Sequence, residues 1–480
     1  MLEIPEIKKL MENDEASTKK RLARVGQRYY EGDHDIREYR LLYVDGNGDV
    51  REDKNRSNIK ISHPFFAELV DQEAQYMLSG KGGFIRSDRP ELQQELDAYF
   101  NQNENFTAEL YDTITGTIAK GFEYMYAYKD REGRTSFQTA DSLGVVEVDP
   151  QESSDGKKYV IYWYIDQKVR DNKRIRRIQV WNETETYFYA QVDGGAITED
   201  PDAVLNPRPH TIWKDDGDGQ TYYEGFGLIP FFRLDNSKKQ VSGVKTIKAL
   251  IDDYDLMSCG LSNNIQDASE VLYVVKGFQG ENLDELIQNI RAKKHIGVPD
   301  GGDVDVRTLD IPYQARQSKL ELDEKNIYRF GMGFNSAKPG DGNVTNVVIK
   351  SRYALLDLKC NKLEIRLKQF LRKLLDVVLK EINQRENSDY QQKDVYFVFE
   401  REVMTNAQDN ANIAQAEAQT RQTEVNTLLN LAGTLDGETL VQLICEQLDI
   451  DYEEIKTRLP KEEDPYASAE ELLNGAGGHE

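Results

Sequence analysis

The sequence has few cysteines and histidines and no long apolar run. It holds three cysteines and five histidines among 480 residues. The cysteines (Cys259, Cys360 and Cys445) lie far apart, which fits a reducing compartment and no disulfide framework. No run of about 18 apolar residues could span a membrane, and the first twenty residues lack the apolar centre of a secretion signal. The sequence therefore predicts a chain that is neither membrane-spanning nor exported through such a signal.

The residue patterns of common catalytic and cofactor sites are also missing. No two histidines lie within one helical turn and no cysteine completes a ligand set, so we expect no zinc site and assign these residues to structural positions. Residues 80–83 lack the hydroxyl residue of a phosphate-binding loop, and residues 331–333 lack the third glycine of a dinucleotide loop. No Gly-x-Ser-x-Gly elbow occurs. We therefore predict no cofactor, no metal and no enzymatic activity.

An acidic cluster is the one candidate for a cation site. Asp252, Asp253 and Asp255 supply the carboxylate oxygens that Mg²⁺ prefers. On a helix, however, Asp252 and Asp255 face away from the apolar stripe. The pattern therefore favours a solvated face over a metal site.

The charge of the chain is strongly acidic. Asp and Glu number 85 against 61 Lys and Arg, a net charge of −24. This charge argues against a free, sequence-reading DNA binder, because phosphates would repel it. Half of the surplus lies in residues 401–480, with 17 acidic and five basic residues. Residues 351–386 carry nine basic and five acidic residues, and we expect these positive charges to pair with neighbouring acidic surfaces rather than with DNA.

Two periodicities divide the first half of the chain. Residues 1–60 have a polar, helical pattern, and recurring apolar residues predict further helices over 63–78, 90–100 and about 107–120. Between residues 123 and 232 the pattern changes to alternation, with β-branched and aromatic residues separated by Asp-Gly and Gly-Gly turns. This pattern predicts one antiparallel β-rich unit.

Long helices dominate the second half. A narrow apolar stripe from Val244 to Ile265 predicts a helix of about six turns, and the stripe is either core contact or a seam against a neighbouring copy. The β-α-β-β insert that follows, 269–310, is too short to bury much core alone, so we expect the neighbouring subunit to complete it. The remaining predicted elements are helix 313–330, a glycine-rich break over 331–343, helix 345–387, strand 395–399 and acidic helices over 407–422, 437–448 and 452–459. The predicted fold class is α+β and mainly helical.

Four stretches, in an order and spacing that cover nearly the whole chain, resemble one protein family. They are Tyr29-Tyr30-Glu31-Gly32 with Asp35-Ile36; Asn58-Ile59-Lys60-Ile61 followed by 69–72 and 76–80; Pro230 and Asn236 followed by 248–255; and Gly433-Thr434-Leu435 with Glu438-Thr439. In these stretches the sequence is similar to the portal proteins of tailed double-stranded-DNA bacteriophages, of the type found in phages of Gram-positive hosts. It departs from the family pattern at 73–75, which is more polar, and at 81–83, which lacks a common proline.

The resemblance implies a portal fold assembled as a homo-oligomeric ring, typically a dodecamer, at one vertex of the capsid. Each subunit of such a ring has a wing with a β-rich portion, a stem of two helices, a clip, a tunnel loop and a crown. In this sequence the resemblance implies the following regions: wing 1–235 and 346–400, stem helices 236–266 and 313–330, clip 267–312, tunnel loop 331–345, and acidic helical crown 401–480.

The resemblance also implies the partners. Double-stranded DNA passes through the ring during packaging and ejection without being read, and the portal itself hydrolyses nothing. The clip docks the large terminase subunit and later the head–tail adaptor protein, while the ring also meets the major capsid and scaffolding proteins. The implied location is the virion, after assembly in the host cytoplasm, with no membrane partner.

Two sets of residues are candidate sites within that scheme. Lys338, at the tip of the glycine-rich loop, is our candidate for a belt of transient phosphate contacts around the ring; its alternative is a solvated helix–helix connection. Asn335, Asn343 and Thr345 are weaker candidates on the same surface. For the clip we expect a docking rim rather than a plain β-hairpin excursion, with Phe278, Asp300 and Asp303 as its residues.

Two other functional classes compete with this interpretation. The first is another phage head-assembly protein, or a packaging motor or nuclease acting on DNA, against which the missing phosphate-binding loop argues. The second is a non-viral helical scaffold adaptor, which would form a monomer or small oligomer instead of a closed ring.

Overall fold

The computed structural model describes most of the chain. The described residues are 1–54, 56–166, 173–214, 220–268, 272–276, 303–307, 312–335, 346–402, 407–430, 437–448 and 452. They fall into two compact units, one formed by residues 1–339 with 351–403 and the other by residues 340–350 with 404–480.

The chain is mixed α+β, as predicted. The described helices are α1 (Ile4–Glu15), α2 (Thr18–Tyr30), α3 (Phe65–Met77), α4 (Pro90–Leu96), α5 (Glu104–Lys120), α6 (Lys248–Ala268), α7 (Tyr313–Gly331), α8 (Asn346–Glu386), α9 (Ala407–Asn430) and α10 (Gly437–Leu448). The described strands are β1 (Leu42–Val44), β2 (Val50–Glu52), β3 (Ile85–Arg86), β4 (Phe122–Lys129), β5 (Thr135–Ala140), β6 (Val145–Val148), β7 (Tyr159–Ile165), β8 (Ile175–Trp181), β9 (Glu185–Val192), β10 (Ile197–Glu199), β11 (Arg208–Pro209), β12 (Thr211–Lys214), β13 (Thr221–Glu224), β14 (Phe231–Asp235), β15 (Leu272–Lys276), β16 (Asp303–Arg307) and β17 (Tyr396–Phe397).

Local signals explain where several helices begin and end. The Ser17 hydroxyl accepts from the Lys20 amide at the start of α2, and Asn103 caps α5 through the Phe106 amide. Such caps satisfy amides that have no partner within the helix. Gly121 ends α5 at φ 98°, a left-handed conformation that favours glycine.

An apolar stripe along α8, which was predicted as helix 345–387, forms the centre of the main core. Each of its six residues is at most 3% exposed, and the stripe packs with buried residues of α3 and α5. The stripe residues are Leu356, Leu363, Leu367, Phe370, Leu374 and Val378. The prediction for this helix is confirmed because its apolar residues recur at a spacing that only one face of a helix satisfies.

The N-terminal region differs from its predicted helical pattern. Helices α1 and α2 are present, but β1 and β2 then form an antiparallel hairpin in which Leu42 lies opposite Glu52. The Asp45 carboxylate accepts from the amides of Asn47 and Asp49 and so fixes the turn. The prediction of helix was wrong here because this side-chain turn overrides a weak helical pattern.

The β-rich region forms one antiparallel unit, as predicted, because Tyr124, Val145 and Trp181 of two different sheets lie in one core cluster. Its division into separate sheets was not predicted. Among the described residues, strands β14-β4-β5 form one sheet, β10-β9-β8-β7-β6 with β11 beside β9 form a second, and β12-β13 form a hairpin. Helix α5 packs on the first sheet, and α1 packs on the second through Ile7 and Met11. Alternation identifies strand faces, but it does not reveal which strands pair in the same sheet.

A helix, a β-hairpin and a second helix follow one another in the middle of the chain. A short 3-10 turn over Gly243–Thr246 precedes α6, which therefore begins later than predicted. Strands β15 and β16 pair antiparallel, with Leu272 opposite Arg307, as predicted for both ends of the insert. The helix and the middle strand of the predicted β-α-β-β insert, expected over 282–293 and 295–298, lie outside the described residues.

The apolar stripe of α6 is divided between core and surface. Val244, Ile247 and Ile251 are at most 2% exposed, whereas Met257 and Leu261 are half-buried and Ile265 is 56% exposed. The first turns are therefore core contact. The later apolar residues are not buried in this way within the described chain. For them, contact with a neighbouring copy of the helix stays a prediction.

The second unit contains the acidic helices. Helices α9 and α10 confirm the predictions for 407–422 and 437–448, and α9 continues to Asn430. The predicted helix 452–459 lies outside the described residues except Tyr452. Among the described helices, none combines the length and hydropathy needed to cross a membrane.

Candidate functional site

The structure places only part of the predicted site. Asn335 is described, whereas Lys338, Asn343 and Thr345 of the loop lie outside the described residues. Of the predicted clip residues, Phe278 and Asp300 also lie outside them, and Asp303 is the first residue of β16, opposite Lys276. The described part of the site is therefore the pair α6 and α7 and the beginning of the glycine-rich loop.

Helix α3 holds the beginning of the loop by its backbone. The Gln72 side chain donates from Nε2 to the carbonyl of Phe334 at 2.8 Å and accepts the Phe334 amide at 3.2 Å. One amide side chain thus satisfies both backbone groups of a residue just after α7. This double hydrogen bond fixes the direction in which the loop leaves the helix.

Two glycines permit this close approach. A Cβ atom at Gly331 would lie 2.5 Å from Leu69 Cδ1, and one at Gly333 would lie 2.3 Å from Leu69 Cδ2. Both distances are below any real contact, so a side chain at either position would force the buried Leu69 side chain to move. Met332, between the glycines, ends α7 in a left-handed conformation with φ 57°.

Asn335 belongs to this anchored beginning of the loop. Its side-chain amide donates to the Glu324 carboxylate of α7, and the residue is partly buried. Tyr328 of α7 also donates to Glu68 of α3 at 2.5 Å. The prediction that Asn335 faces DNA stays a prediction, and its observed partner is the subunit itself.

Opposite charges join α6 to α7. The Lys319 ammonium of α7 lies between Asp253 of α6 and Asp323 of its own helix, and Asp323 is only 2% exposed. Hydrogen bonds to Asp253 and then Asp323 raise the pKa of Lys319. Asp253 therefore serves helix pairing, and one Lys offsets two carboxylates at the contact.

Asp255 is fully buried, so the prediction of a solvated face was wrong for this residue. Its carboxylate accepts from Nδ1 of His34 at 2.6 Å and from Nδ1 of His63 at 2.7 Å. Burial raises the pKa of Asp255, but the hydrogen bonds from His34 and His63 outweigh burial and hold the pKa below its ordinary value. The helical pattern missed this because the covering residues come from a distant part of the chain.

Asp252 is partnered in a neighbouring cluster. It accepts from the Tyr29 hydroxyl and from the Lys248 ammonium, and the same ammonium binds Asp35 at 2.6 Å. Burial raises the pKa of Asp35, but the hydrogen bond and charge of Lys248, together with the charge of Arg28, outweigh burial and lower it. Tyr29 also stacks on His34 with ring centroids 4.5 Å apart.

These contacts leave no cation site in the acidic cluster. The histidines direct their Nδ1 atoms at the carboxylate itself, at hydrogen-bond distances, rather than at a shared point beside it. In the part of the chain that the structure describes, no group of His, Cys, Asp and Glu side chains is arranged to hold a metal ion. The arrangement is suited to fixing helices in place.

Sequence reasoning missed Gln72 and Lys319 as positioning residues. It assigned His34 and His63 to structural positions but named no partner for them. The partners of all four residues lie 66 to 262 positions away along the chain, and no local spacing reveals such pairs. The available signal was the pair Gly331 and Gly333, because glycines in a break often mark a close backbone approach.

Part of the prediction for the basic helix 351–386 has support. Lys359 pairs with Glu73 of α3 at 2.7 Å, and Arg385 pairs with Glu95 of α4. Lys368 instead pairs with Glu364 of its own helix. These described cations face acidic side chains within the subunit.

The comparisons with known proteins define the class of this chain. A family model described as "Phage portal protein, SPP1 Gp6-like" matches residues 9–457. The portal protein of Bacillus phage SPP1 is 27% identical over 350 residues, covering 72% of this chain and 67% of that protein. The portal protein of Clostridium phage phiCD119 is 23% identical over 422 residues, covering 86% and 89%. The chain is a phage portal protein.

More particularly, the chain belongs to the SPP1 Gp6-like family of phage portal proteins, and the resemblance seen in the sequence is confirmed. Two solved structures are also similar: the neck of a native GTA particle computed with C12 symmetry, and the virion of a native gene transfer agent particle. Each is 12% identical with a TM-score of 0.38; they cover 80% of this chain and 89% and 90% of the respective chains.

The Gln72 anchor gives a testable expectation. Gln72→Ala removes two hydrogen bonds to the Phe334 backbone and should destabilise the subunit by about 1–3 kcal/mol. Chemical denaturation measures this loss. Gln75→Ala, at an exposed position one turn along α3, is the matched control and should change little. Equal stabilities of the two variants would contradict the anchor.

The hydrogen bonds from His34 and His63 to Asp255 should make the stability of the protein depend on pH. Because the folded-state pKa of Asp255 is lowered, its stabilisation is present above the ordinary pKa of 3.8 and is lost as the pH falls through the lower folded value. Asp255→Asn should reduce stability at neutral pH and flatten the loss of stability as the pH falls below the ordinary pKa of 3.8. Asp389→Asn, at an exposed position, is the control. Thermal unfolding across this pH range compares the curves, and parallel curves for Asp255→Asn and wild type would contradict the pairing.

Proposed function

We propose that this portal protein forms a closed ring at one capsid vertex, through which double-stranded DNA passes during packaging and ejection. The single observation that carries the proposal is the match of the portal family over residues 9–457. A dodecamer is the copy number that the family resemblance implies. In this scheme α6 and α7 are the stem helices, with boundaries near 236–266 and 313–330.

Exposed apolar side chains on the stem and on α8 support a seam between copies. On α7, Tyr313, Leu322 and Phe330 are each 53–54% exposed. On α8, Leu355, Leu358 and Ile365 are 43–62% exposed. Repeated apolar exposure on neighbouring helices is typical of a protein–protein contact. We assign these faces to contacts with the adjacent subunits.

The charge of the chain suits a conduit. A wall that neutralised many phosphates would release counterions and hold the DNA firmly. A subunit with a net charge of −24 avoids that grip, and screening over about 8 Å leaves a narrow channel partly repulsive. Two described cations of the stem, Lys248 and Lys319, are already paired with aspartates and add no free positive charge.

The remaining regions keep the roles given by the family. The wing is 1–235 with 346–400, the tunnel loop 331–345, the clip 267–312 and the crown 401–480. We propose that Lys338, with Asn335, Asn343 and Thr345, forms the DNA-facing surface of the loop. The clip would dock the large terminase subunit and then the head–tail adaptor, using Phe278, Asp300 and Asp303. The ring would also meet the major capsid and scaffolding proteins in the virion, after assembly in the host cytoplasm.

The ring can be tested with one charge-introducing variant. Leu322→Glu places a carboxylate at an exposed apolar position of α7 and removes about 1.5–3 kcal/mol of burial at each seam. We expect folded subunits that fail to close into rings in negative-stain electron microscopy. Gln314→Glu adds the same charge at an exposed polar position of α7 and should leave rings intact.

Two outcomes would reject the proposed function. Compact wild-type particles without a central opening would exclude the ring, and ATP hydrolysis by the purified wild-type protein would favour a motor. If Leu322→Glu and Gln314→Glu form rings in equal yield, only the proposed subunit contact on α7 is rejected, and the ring itself is not.

The tunnel loop is tested by removing its cation. Phage carrying Lys338→Ala should package shorter DNA or lose DNA from filled heads, because a belt of phosphate contacts is absent. Packaged DNA length and retention are the measurements. Lys325→Ala, at an exposed position of α7, is the control. If Lys338→Ala phage package and retain DNA as wild type does, the phosphate contacts are rejected. Lys338 then belongs to a solvated connection between two helices.

A further inference from the structure

One face of α6 binds a separate segment of the chain by its backbone. Four side chains of α6, spaced by four residues, accept the amide N–H groups of every second residue from 57 to 63. The pairs are Asp255 with His63 at 3.0 Å, Cys259 with Ile61 at 3.2 Å, Asn263 with Ile59 at 2.7 Å and Asp267 with Ser57 at 3.2 Å. The segment therefore runs antiparallel to the helix.

The spacing of these bonds has a simple geometric basis. Four helical residues rise about 6.0 Å, and two extended residues span about 6.6 Å. The four-residue rise of α6 and the two-residue span of the segment therefore stay in step over four hydrogen bonds only if residues 57–63 are extended. The α6 side chains thus contact the backbone of this segment, whatever its side chains are.

The intervening residues bind a different part of the chain. Asn58 donates its side-chain amide to the carbonyl of Tyr39, and Lys60 donates its ammonium to that of Arg37. Ser62 donates its hydroxyl to the carbonyl of Gly32 at 2.7 Å. Within the described chain, the backbone amides of residues 58, 60 and 62 have no hydrogen-bond acceptor.

We propose that residues 57–63 form a two-sided strap that fixes the stem helix α6 to the N-terminal segment 32–39. Odd-numbered residues bind α6 through their amides, and even-numbered residues bind segment 32–39 through their side chains. Asp255, Cys259, Asn263 and Asp267 are the positioning residues on the helix. A displacement of α6 is then passed directly to segment 32–39.

The buried Asp255 cluster fixes the register of the strap. Asp255 accepts both the amide and the ring Nδ1 of His63, and it also accepts from His34 of the N-terminal segment. A shift of the strap by two residues would remove His63 from this carboxylate and leave a buried charge short of donors. The four hydrogen bonds between α6 and the strap are evenly spaced, but the contacts of Asp255 with His63 permit only one register.

Hydrogen–deuterium exchange at single-residue resolution tests the strap in the purified full-length protein. After correction for intrinsic rates, the exchange rates of the Ile59 and Ile61 amides should be at least about fivefold lower than those of the Asn58 and Lys60 amides. Burial alone predicts a different pattern, because the Ile61 side chain is 47% exposed whereas Asn58 is half-buried. Absence of this alternation in the wild-type protein would overturn the proposal without any variant.

A matched set of substitutions tests the positioning role of α6. Asn263→Ala should raise the exchange rate of the Ile59 amide about fivefold, since its acceptor is gone. Asn263→Asp keeps an oxygen acceptor and should restore protection. Ser262→Ala, one residue away on α6 with its hydroxyl on the Ser258 carbonyl, is the control.

These exchange results are independent of ring formation. If Ile59 exchanges equally in Asn263→Ala and wild type, the strap is overturned even where rings form. In a second outcome, the wild-type protein shows the alternating exchange rates, and the Asn263 variants the expected changes, while the subunits fail to form a closed ring. That result would support the strap and reject the proposed function.

Discussion

A carboxylate removed from water must be given hydrogen-bond donors, and the packing of α6 depends on that requirement. Asp255 is fully buried and takes its donors from His34 and His63. Because those residues precede and follow the β1–β2 hairpin, one charge brings three parts of the chain together. The cost of leaving it unpaired makes this arrangement specific.

The same principle extends along the helix pair and into the loop. Lys319 joins α6 to α7 through two aspartates, and Gln72 holds the backbone of Phe334 where α7 ends. Each contact satisfies groups that would otherwise be buried without a partner. Helices α6 and α7 and the beginning of the glycine-rich loop are therefore positioned by a few polar contacts on an apolar framework.

Patterns within one element were predictable from the sequence. The stripe of α8, the helices α3, α5 and α7, and the two strands at the ends of the insert all follow from local periodicity. The family was also recognisable, because order and spacing of short motifs survive substitution. The hairpin β1–β2 and the division of the strands into separate sheets were not predictable, since turn geometry decides the hairpin and alternation does not reveal which strands pair in the same sheet.

The sequence by itself determined the charge, the helical and alternating segments and the family to which the chain belongs. Only the tertiary structure decided which polar residues meet. Asp255 looks solvent-facing on a helical wheel, and its burial depends on a segment about 190 residues earlier in the chain. Local periodicity reports how one element presents its faces, whereas the identity of what covers a face is a property of the whole fold.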